Sequence, residues 1–590
     1  MITIDHINTT QLDSILTELQ ASKERWVQTR IDHKIALLHE IRIRLRQVAQ
    51  EWVDVSIQGK NIETLVTTNP AVAGEEWSSG PWALGVMLNA LIESLTLLKA
   101  GKQPAIQGVR TLTTAVAEDQ VIAEVFPANV YDTLLTNGIR AEVWMQPELS
   151  EARLPQEMAA FYRQQQAGKR PDGQVALILG AGNINSIPPL DALCKLFVEG
   201  QVVMLKLNPV NEYIGQVLET IFRPLIDLHY LGIVYGGADV GNYLVQHAHT
   251  DTVHITGSAR THDIIVYGSG EEGATRKANN TPILDKPISS ELGGISPTIV
   301  VPGPWTNADV RFQAENIVSQ KLHNNGCNCI ASQVLVLPAG WDKNKLLLSE
   351  ITRHFQQLHV REHYYPGAEE RLQQAIDAAN QANAYVQTSN GRVLITGVDA
   401  SNPDTYSFNH EFFTTALAQT YISTTGVGGV DAGAYLENTI RFANEQLDGT
   451  LGAQIIIHPV TIRELGPRFE ELLAQLRYGT IGINIWSGIG FFIPQVAWGA
   501  YPEHTLGDIQ SGIGFVHNSL MFTKPQKNVI YGPFWEAPRT FRHRKLGLLP
   551  KPPWFVTNKQ AHVTTKRLTE FTLTQDQFVL PGIFWSALQG

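Results

Sequence analysis

Residues 290–338 read SELGGISPTIVVPGPWTNADVRFQAENIVSQKLHNNGCNCIASQVLVLP. Two apolar runs, ISPTIVV and ASQVLVLP, flank a polar, helix-like segment, and each run is entered through a turn. The first turn is Gly-rich and carries Glu291; the second, Asn-Asn-Gly, is followed three residues after its glycine by Cys329. A carboxylate and a thiol, each ending a loop at a strand edge, are the two groups that a covalent cysteine mechanism with a water-activating base requires. The rest of the chain reads as support for that pair.

Upstream, from Gln174, apolar strands alternate with amphipathic helices, the pattern of a parallel sheet with crossover helices. QVALILGAG, QVVMLKLNP, LGIVYGG and TVHITGS read as strands; PPLDALCKLFVEG, YIGQVLETIFRPLIDL and DVGNYLVQHA read as helices. This is an α/β, Rossmann-like half. Ligands of such sheets sit at the carboxyl ends of the strands, where helix N-termini offer free N–H groups. The candidate phosphate positions are Gly236, Gly241, Gly257 and Ser258, although no GxGxxG occurs there and glycines that merely make turns read equally well. Residues 259–290 read as a surface hairpin or loop, a tolerated insertion or a cover for a ligand. Asn307 reads as the cap of the helix that follows ISPTIVV.

Further out, residues 11–59 show helical spacing, with Leu37, Ile41, Leu45 and Val48 on one face, and predict a helical N-terminal layer. Residues 65–174 mix helical and strand-like stretches without a legible role. The division expected is 1–290 for the helical layer and Rossmann-like domain, 291–485 for a second α/β domain with the cysteine, and 486–590 for a return segment and C-terminal extension. In that last part, SLMF and KNVIY read as strands able to join a neighbouring subunit's sheet.

At 590 residues the chain exceeds one compact core, and 43% hydrophobic with 17% charged residues is ordinary globular composition. A net charge of −11 disfavours nucleic acid as a partner. Three cysteines cannot build a disulfide framework, which suits a reducing cytoplasm. The N-terminal residues lack the basic and apolar regions of a signal peptide, and no apolar run of membrane-spanning length is apparent.

Each chemical candidate has a plainer reading. A bare cysteine is most often a small buried hydrophobe, and Cys194, on an apolar helix face, reads that way. Cys329 differs by following a turn whose N–H groups can favour a thiolate or hold an oxyanion. Cys327 is the competing thiol, and with His323 alone it lacks the further ligands of a zinc site. Glu291 by itself reads more readily as a structural carboxylate accepting loop N–H bonds.

ELGGISP and NNGCNCIA resemble the glutamate and cysteine signatures of the aldehyde dehydrogenase superfamily, with further matching stretches in order over about residues 34–484. The resemblance implies a Rossmann-like cofactor domain and a second α/β catalytic domain, NAD or NADP as cofactor, a small-molecule aldehyde as substrate and a homodimer or homotetramer. It implies Cys329, three residues after Gly326, as nucleophile and Glu291 as the base that activates hydrolytic water. It implies Asn183, with Asn185 as the alternative, as oxyanion donor. Gly257 and Ser258 resemble the turn beside the pyrophosphate, Lys206 the residue that reaches the adenosine ribose, and Glu411 the glutamate on the nicotinamide ribose. Where NAD-preferring relatives carry a glutamate three residues after that lysine, this chain has Pro209, so NADP is expected to be tolerated. Trp486, Phe491, Phe492, Trp498 and Tyr501 near the expected substrate mouth point to an apolar aldehyde, or else to packing. A CoA-acylating enzyme and a catalytically idle relative are the alternatives.

Overall fold

The computed structural model describes residues 9–114, 119–169, 171–424, 431–542 and 551–590. Two sheets organise it. The smaller has six strands in the order Gly512–Ile513, Ile288–Leu292, Thr252–Gly257, Val175–Leu179, Val202–Lys206 and Leu231–Val234, all parallel except the short Gly512–Ile513 edge. These are the strands read from residue 174 onward. They are continuous apolar runs because helices cover both faces of the sheet. Val175–Ile178 and Val202–Leu205 are all buried.

The larger sheet has eleven strands. Its parallel centre is Thr480–Ile483, Gly452–Ile456, Ser296–Val300, Ser332–Pro338 and Ala416–Ile422. Ser296–Val300 and Ser332–Pro338 are neighbours joined through helix Asn307–Leu322, so the opening stretch of sequence folds as one βαβ unit. All seven residues of Ser332–Pro338 are buried. Each fully buried aliphatic side chain of this kind contributes about 1.5–3 kcal/mol. The cap of this helix is Thr306, not Asn307: the Thr306 hydroxyl accepts from the Asp309 N–H, and the Asp309 carboxylate accepts from the Thr306 N–H.

The sheet continues beyond Thr480–Ile483 through Pro525–Tyr531, Arg140–Met145, Gln120–Phe126 and Gly108–Leu112. KNVIY therefore does not reach for a neighbouring subunit. It lies in a strand paired on both sides within its own chain, with Thr480–Ile483 and with Arg140–Met145. SLMF contributes only an isolated bridge, Phe522 to Met158.

The helical layer forms as expected, with its face shifted. Leu38, Ile41, Leu45, Ala49 and Trp52 of helix Ile31–Gly59 are buried, whereas Leu37 and Val48 pack at the margin. Residues 259–278, read as a loop, form helices Ala259–Tyr267 and Gly270–Ala278, whose exposed faces hid the helical pattern. Among the described residues one stretch, Pro70–Lys99, is long and apolar enough to cross a bilayer, against the expectation of none. Since 61% of its apolar window is buried inside the protein, it is read as a core helix.

Candidate active site

Glu291 sits where the chain leaves one sheet for the other. Strand Ile288–Leu292 runs parallel to Thr252–Gly257, with Glu291 paired to Thr256 and Leu292 to Gly257, and four residues later Ser296 opens a strand of the large sheet. The crossing turn needs glycine for space: a Cβ on Gly293 would lie 2.2 Å from the Glu411 carboxylate, and one on Gly294 would lie 2.7 Å from Ser511 Oγ. The turn thereby seats two carboxyl groups side by side.

Glu291 is 3% exposed and its Oε1 has no hydrogen-bond partner. Burial, reinforced by the Asp191 carboxylate, pushes its pKa up to about 7, while the Cys329 thiol and the Trp498 indole pull it back. Asp191 is a residue the sequence reading missed. It is fully buried, accepts from Thr256 Oγ1 at 2.9 Å and lies 3.6 Å from His254 Nε2.

The cysteine loop begins where helix Asn307–Leu322 stops. Asn324, Asn325 and Gly326 have φ of 52°, 55° and 76°, three successive left-handed residues. Asn and Gly adopt that conformation most readily, and at Gly326 a Cβ would meet Thr414 O at 2.3 Å. The turn separates the two thiols. Cys327 is buried against Asn325 O at 3.8 Å and Phe413 O at 3.6 Å, its pKa raised by burial to about 11. Cys329 lies near the Glu291 carboxyl; burial first, then the Glu291 and Glu411 carboxyls, hold its thiol well above the usual range. Cys194 is buried on its helix, as read, and all three cysteines are free.

The two candidate asparagines part company. Asn183 Nδ2 donates to Cys327 O at 3.0 Å, which leaves its second amide proton beside the cysteine loop. Asn185 is spent elsewhere, donating to Ser56 Oγ at 2.8 Å and accepting from Tyr213 at 3.1 Å.

Glu411 is partly buried, its Oε1 enclosed and without a hydrogen-bond partner, and this enclosure raises its pKa to about 8 against the opposing pull of Arg371 and Lys321. On the opposite side of Glu291's strand, Gly257 ends Thr252–Gly257 and Ser258 caps helix Ala259–Tyr267 through the Thr261 N–H at 3.2 Å. Lys206 ends Val202–Lys206, its pKa lowered by burial against the pull of Glu212 and Asp239. Two glycines differ from expectation. Gly241 lies inside helix Ala238–Gln246 with its N–H bonded to Gly237 O at 3.2 Å, and Gly236 donates its N–H to Glu212 Oε1 at 2.7 Å. Neither offers a free donor to phosphate. Glu212, absent from the sequence reading, instead places a carboxylate near Lys206. An orphaned carboxyl, a capped helix start and a lysine with an acidic neighbour, all at one end of a parallel sheet, fit a dinucleotide.

The aromatic residues divide. Phe491 packs edge-on to Trp498, with centroids 5.7 Å apart, and to Phe492 at 5.5 Å, while Phe492 faces Trp82 at 5.3 Å. Cys329 packs against the same apolar cluster. Trp486 donates its indole N–H to Ile330 O at 3.0 Å and so braces the residue after the cysteine. Tyr501 lies under the Lys527 ammonium, 5.5 Å away, and belongs to packing. Beyond Phe492 and Trp82 opens a cavity of about 450 Å³, walled largely by apolar side chains such as Val86, Ile485 and Ile489 and roofed by helices Ala561–Thr574 and Leu580–Ala587.

The sequence model described as Aldehyde dehydrogenase family matches residues 148–403. N-succinylglutamate 5-semialdehyde dehydrogenase 1 of Caulobacter vibrioides is 28% identical over 182 residues, 30% of this chain and 34% of that enzyme. A 1-pyrroline-5-carboxylate dehydrogenase of Anoxybacillus flavithermus is 34% identical over 164 residues, 27% of this chain and 30% of that enzyme. The matched stretches thus span about a third of these relatives. In structure the chain is similar to aldehyde dehydrogenase C of Pseudomonas syringae complexed with NAD+ and octanal, with TM-score 0.58, 14% identity and 90% of each chain covered. It is also similar to a Mycobacterium tuberculosis aldehyde dehydrogenase complexed with NAD+, with TM-score 0.57, 17% identity, and 88% of this chain and 90% of that one covered. Residues 148–403 thus match the aldehyde dehydrogenase family, and the fold is similar to that of solved aldehyde dehydrogenases.

Proposed function

We propose that the protein oxidises an apolar aldehyde to its carboxylic acid with NAD(P), through a covalent intermediate on Cys329. The observation that carries this reading is that the Cys329 thiol and the buried Glu291 carboxyl, brought to one site by the two turns, lie near enough to shift each other's pKa. A thiol raised by burial needs a base at hand, and Glu291, raised to about 7, is poised to take its proton near neutrality.

The Cys329 sulfur then attacks the aldehyde carbon, and the carbonyl oxygen becomes an oxyanion held by the second Asn183 amide proton and the Cys329 N–H. Lys206, Gly257, Ser258 and Glu411 hold the dinucleotide. When bound, NAD(P) supplies the acceptor for the hydride that leaves the tetrahedral carbon. Once Glu291 has passed the thiol proton to solvent, water attacks the thioester left on Cys329 with its proton going to Glu291, the carbon–sulfur bond breaks to give back the Cys329 thiolate, and the acid departs. The aromatic cluster and the 450 Å³ cavity behind it favour an apolar substrate.

Glu291→Gln is the deciding variant. Rapid mixing with octanal should release at most about one NAD(P)H per site with slow turnover afterwards, because deacylation needs the base at full strength. Loss of burst and steady state to the same extent would remove Glu291 from the deacylation step. Cys329→Ala should abolish turnover, and Cys327→Ala should retain most of it.

A further inference from the structure

Three left-handed residues in succession before Cys329 need support, and it arrives from the N-terminal helical layer. Lys60, at the end of helix Ile31–Gly59, is 2% exposed, and its Nζ donates to Glu76 Oε1 at 2.8 Å and to Asn324 Oδ1 at 3.0 Å. The Asn324 N–H donates to Glu75 Oε2 at 3.1 Å, and Arg361 Nη1 holds the same oxygen at 2.6 Å. The Tyr364 hydroxyl lies 3.1 Å from Asn324 Oδ1 and 3.1 Å from Asn183 O. Every polar atom of the Asn324 carboxamide is therefore used, its Nδ2 reaching Cys327 O at 3.0 Å and Asn183 O at 3.1 Å.

Cys327 O is the point of convergence. It accepts from both Asn324 Nδ2 and Asn183 Nδ2, each at 3.0 Å. Those two bonds fix the peptide plane that leads into Asn328 and Cys329, and the same pair orients the Asn183 amide. A buried Lys–Glu pair does little for stability as such, since desolvation consumes most of its Coulombic gain and apolar replacements are often neutral. Its retention beneath this turn asks for another use.

We propose that Lys60 is a positioning residue for the cysteine loop: its ammonium, held by Glu76, clamps the Asn324 carboxamide, which sets the Cys327 carbonyl and thereby the aim of Cys329 and Asn183. The consequence for turnover rests on the proposed function; the clamp on the loop does not.

The test uses the full chain. Lys60→Met with Glu76→Leu removes both charges together, so that neither is stranded, and melting temperature and the KM for NAD(P) report whether fold and cofactor site survive. The expected result is a near-normal melting temperature and unchanged KM. The rate of iodoacetamide labelling at Cys329, read by tandem mass spectrometry, and kcat should both fall on the order of a hundredfold, the loss that misplacement of about 1 Å produces. Labelling of Cys329 at the wild-type rate in the folded variant overturns the proposal. Should the Met/Leu pair not fold, Lys60→Met with Glu76→Gln, which keeps a polar head without charge, takes its place with the same expectation and the same overturning result. Labelling needs no aldehyde, so failure of every aldehyde as a substrate would strike the proposed function and leave this result standing.

Discussion

Glu291 and Glu411 share one glycine turn: the Glu411 carboxylate lies so close to Gly293, two residues after Glu291, that a Cβ there would sit 2.2 Å from it. Burial raises the pKa of both, to about 7 for Glu291, where the Asp191 carboxylate adds to it, and to about 8 for Glu411, where the Glu291 carboxylate adds to it. The site therefore changes its protonation state across neutrality, where its chemistry would operate.

The pH profile should show this. If ionised Glu291 is the base, kcat/KM rises with pH through about 7 and levels off above it. Asp191 is one cause of that elevated value, so Asp191→Asn should let Glu291 ionise more readily and move the rising limb to lower pH. A limb that stays put or moves to higher pH would separate Asp191 from Glu291.

Stability supplies an independent reading of Glu411. Its folded pKa, about 8, exceeds the ordinary 4.5, so the native state binds the extra proton between those values. The stability tied to that proton is fully present below pH 4.5 and is lost as pH rises through about 8. Glu411→Gln, permanently neutral, should gain on the wild type as pH rises from 5 to 9, by at most about 1.4 kcal/mol per pH unit. Melting curves across that range check it, and a difference independent of pH would mean that Glu411 is ionised in the fold. If the same residue holds the nicotinamide ribose, the variant should also raise the KM for NAD(P).

How far the sequence carried the fold and the site depended on whether a residue's role was local. The Gly293–Gly294 and Asn324–Gly326 turns announce themselves because left-handed backbone and close approach restrict the residues allowed. The parallel strands announce themselves because burial on both faces leaves uninterrupted apolar runs. Lys60 and Glu75 gave no signal, since their partner Asn324 lies more than two hundred residues away, and Glu76, the partner of Lys60, reads as solvated surface. Glu212 was hidden by the turn Pro209–Ile214, which folds it back beside Gly236. Gly241 was misplaced because spacing alone does not separate the last loop residue from the first helical turn.

Glu212 argues for the opposite cofactor preference to the one expected from Pro209. The carboxylate missing from that position is supplied three residues later, with Oε1 on the Gly236 N–H at 2.7 Å and its charge near Lys206. A 2′-phosphate on the adenosine ribose would meet this negative charge, so NAD should be preferred over NADP. Glu212→Gln should raise the NADP to NAD ratio of kcat/KM by about tenfold, the effect of roughly 1.4 kcal/mol of relieved repulsion. An unchanged ratio would place the ribose elsewhere.

The cavity beyond Phe492 makes the most graded prediction. Phe491, Phe492 and Trp498 pack together in the apolar cluster that holds Cys329, and the 450 Å³ cavity lies beyond, bordered by Phe492 and Trp82; the proposed reading runs the aldehyde chain along these rings towards it. Each methylene moved from water into such surroundings contributes about 0.8 kcal/mol, about fourfold in binding. In a series of straight-chain aldehydes, kcat/KM should climb by up to that factor per carbon and then level off where the chain meets the roof helices. Ala90, which lines the cavity from helix Ala83–Lys99, gives the matching control. Ala90→Phe should lower kcat/KM for octanal and longer aldehydes and spare propanal, because only the longer chains reach past Phe492. A flat profile from two to eight carbons, or best activity on a charged semialdehyde, would return these rings to packing and leave the cavity without a part in substrate choice.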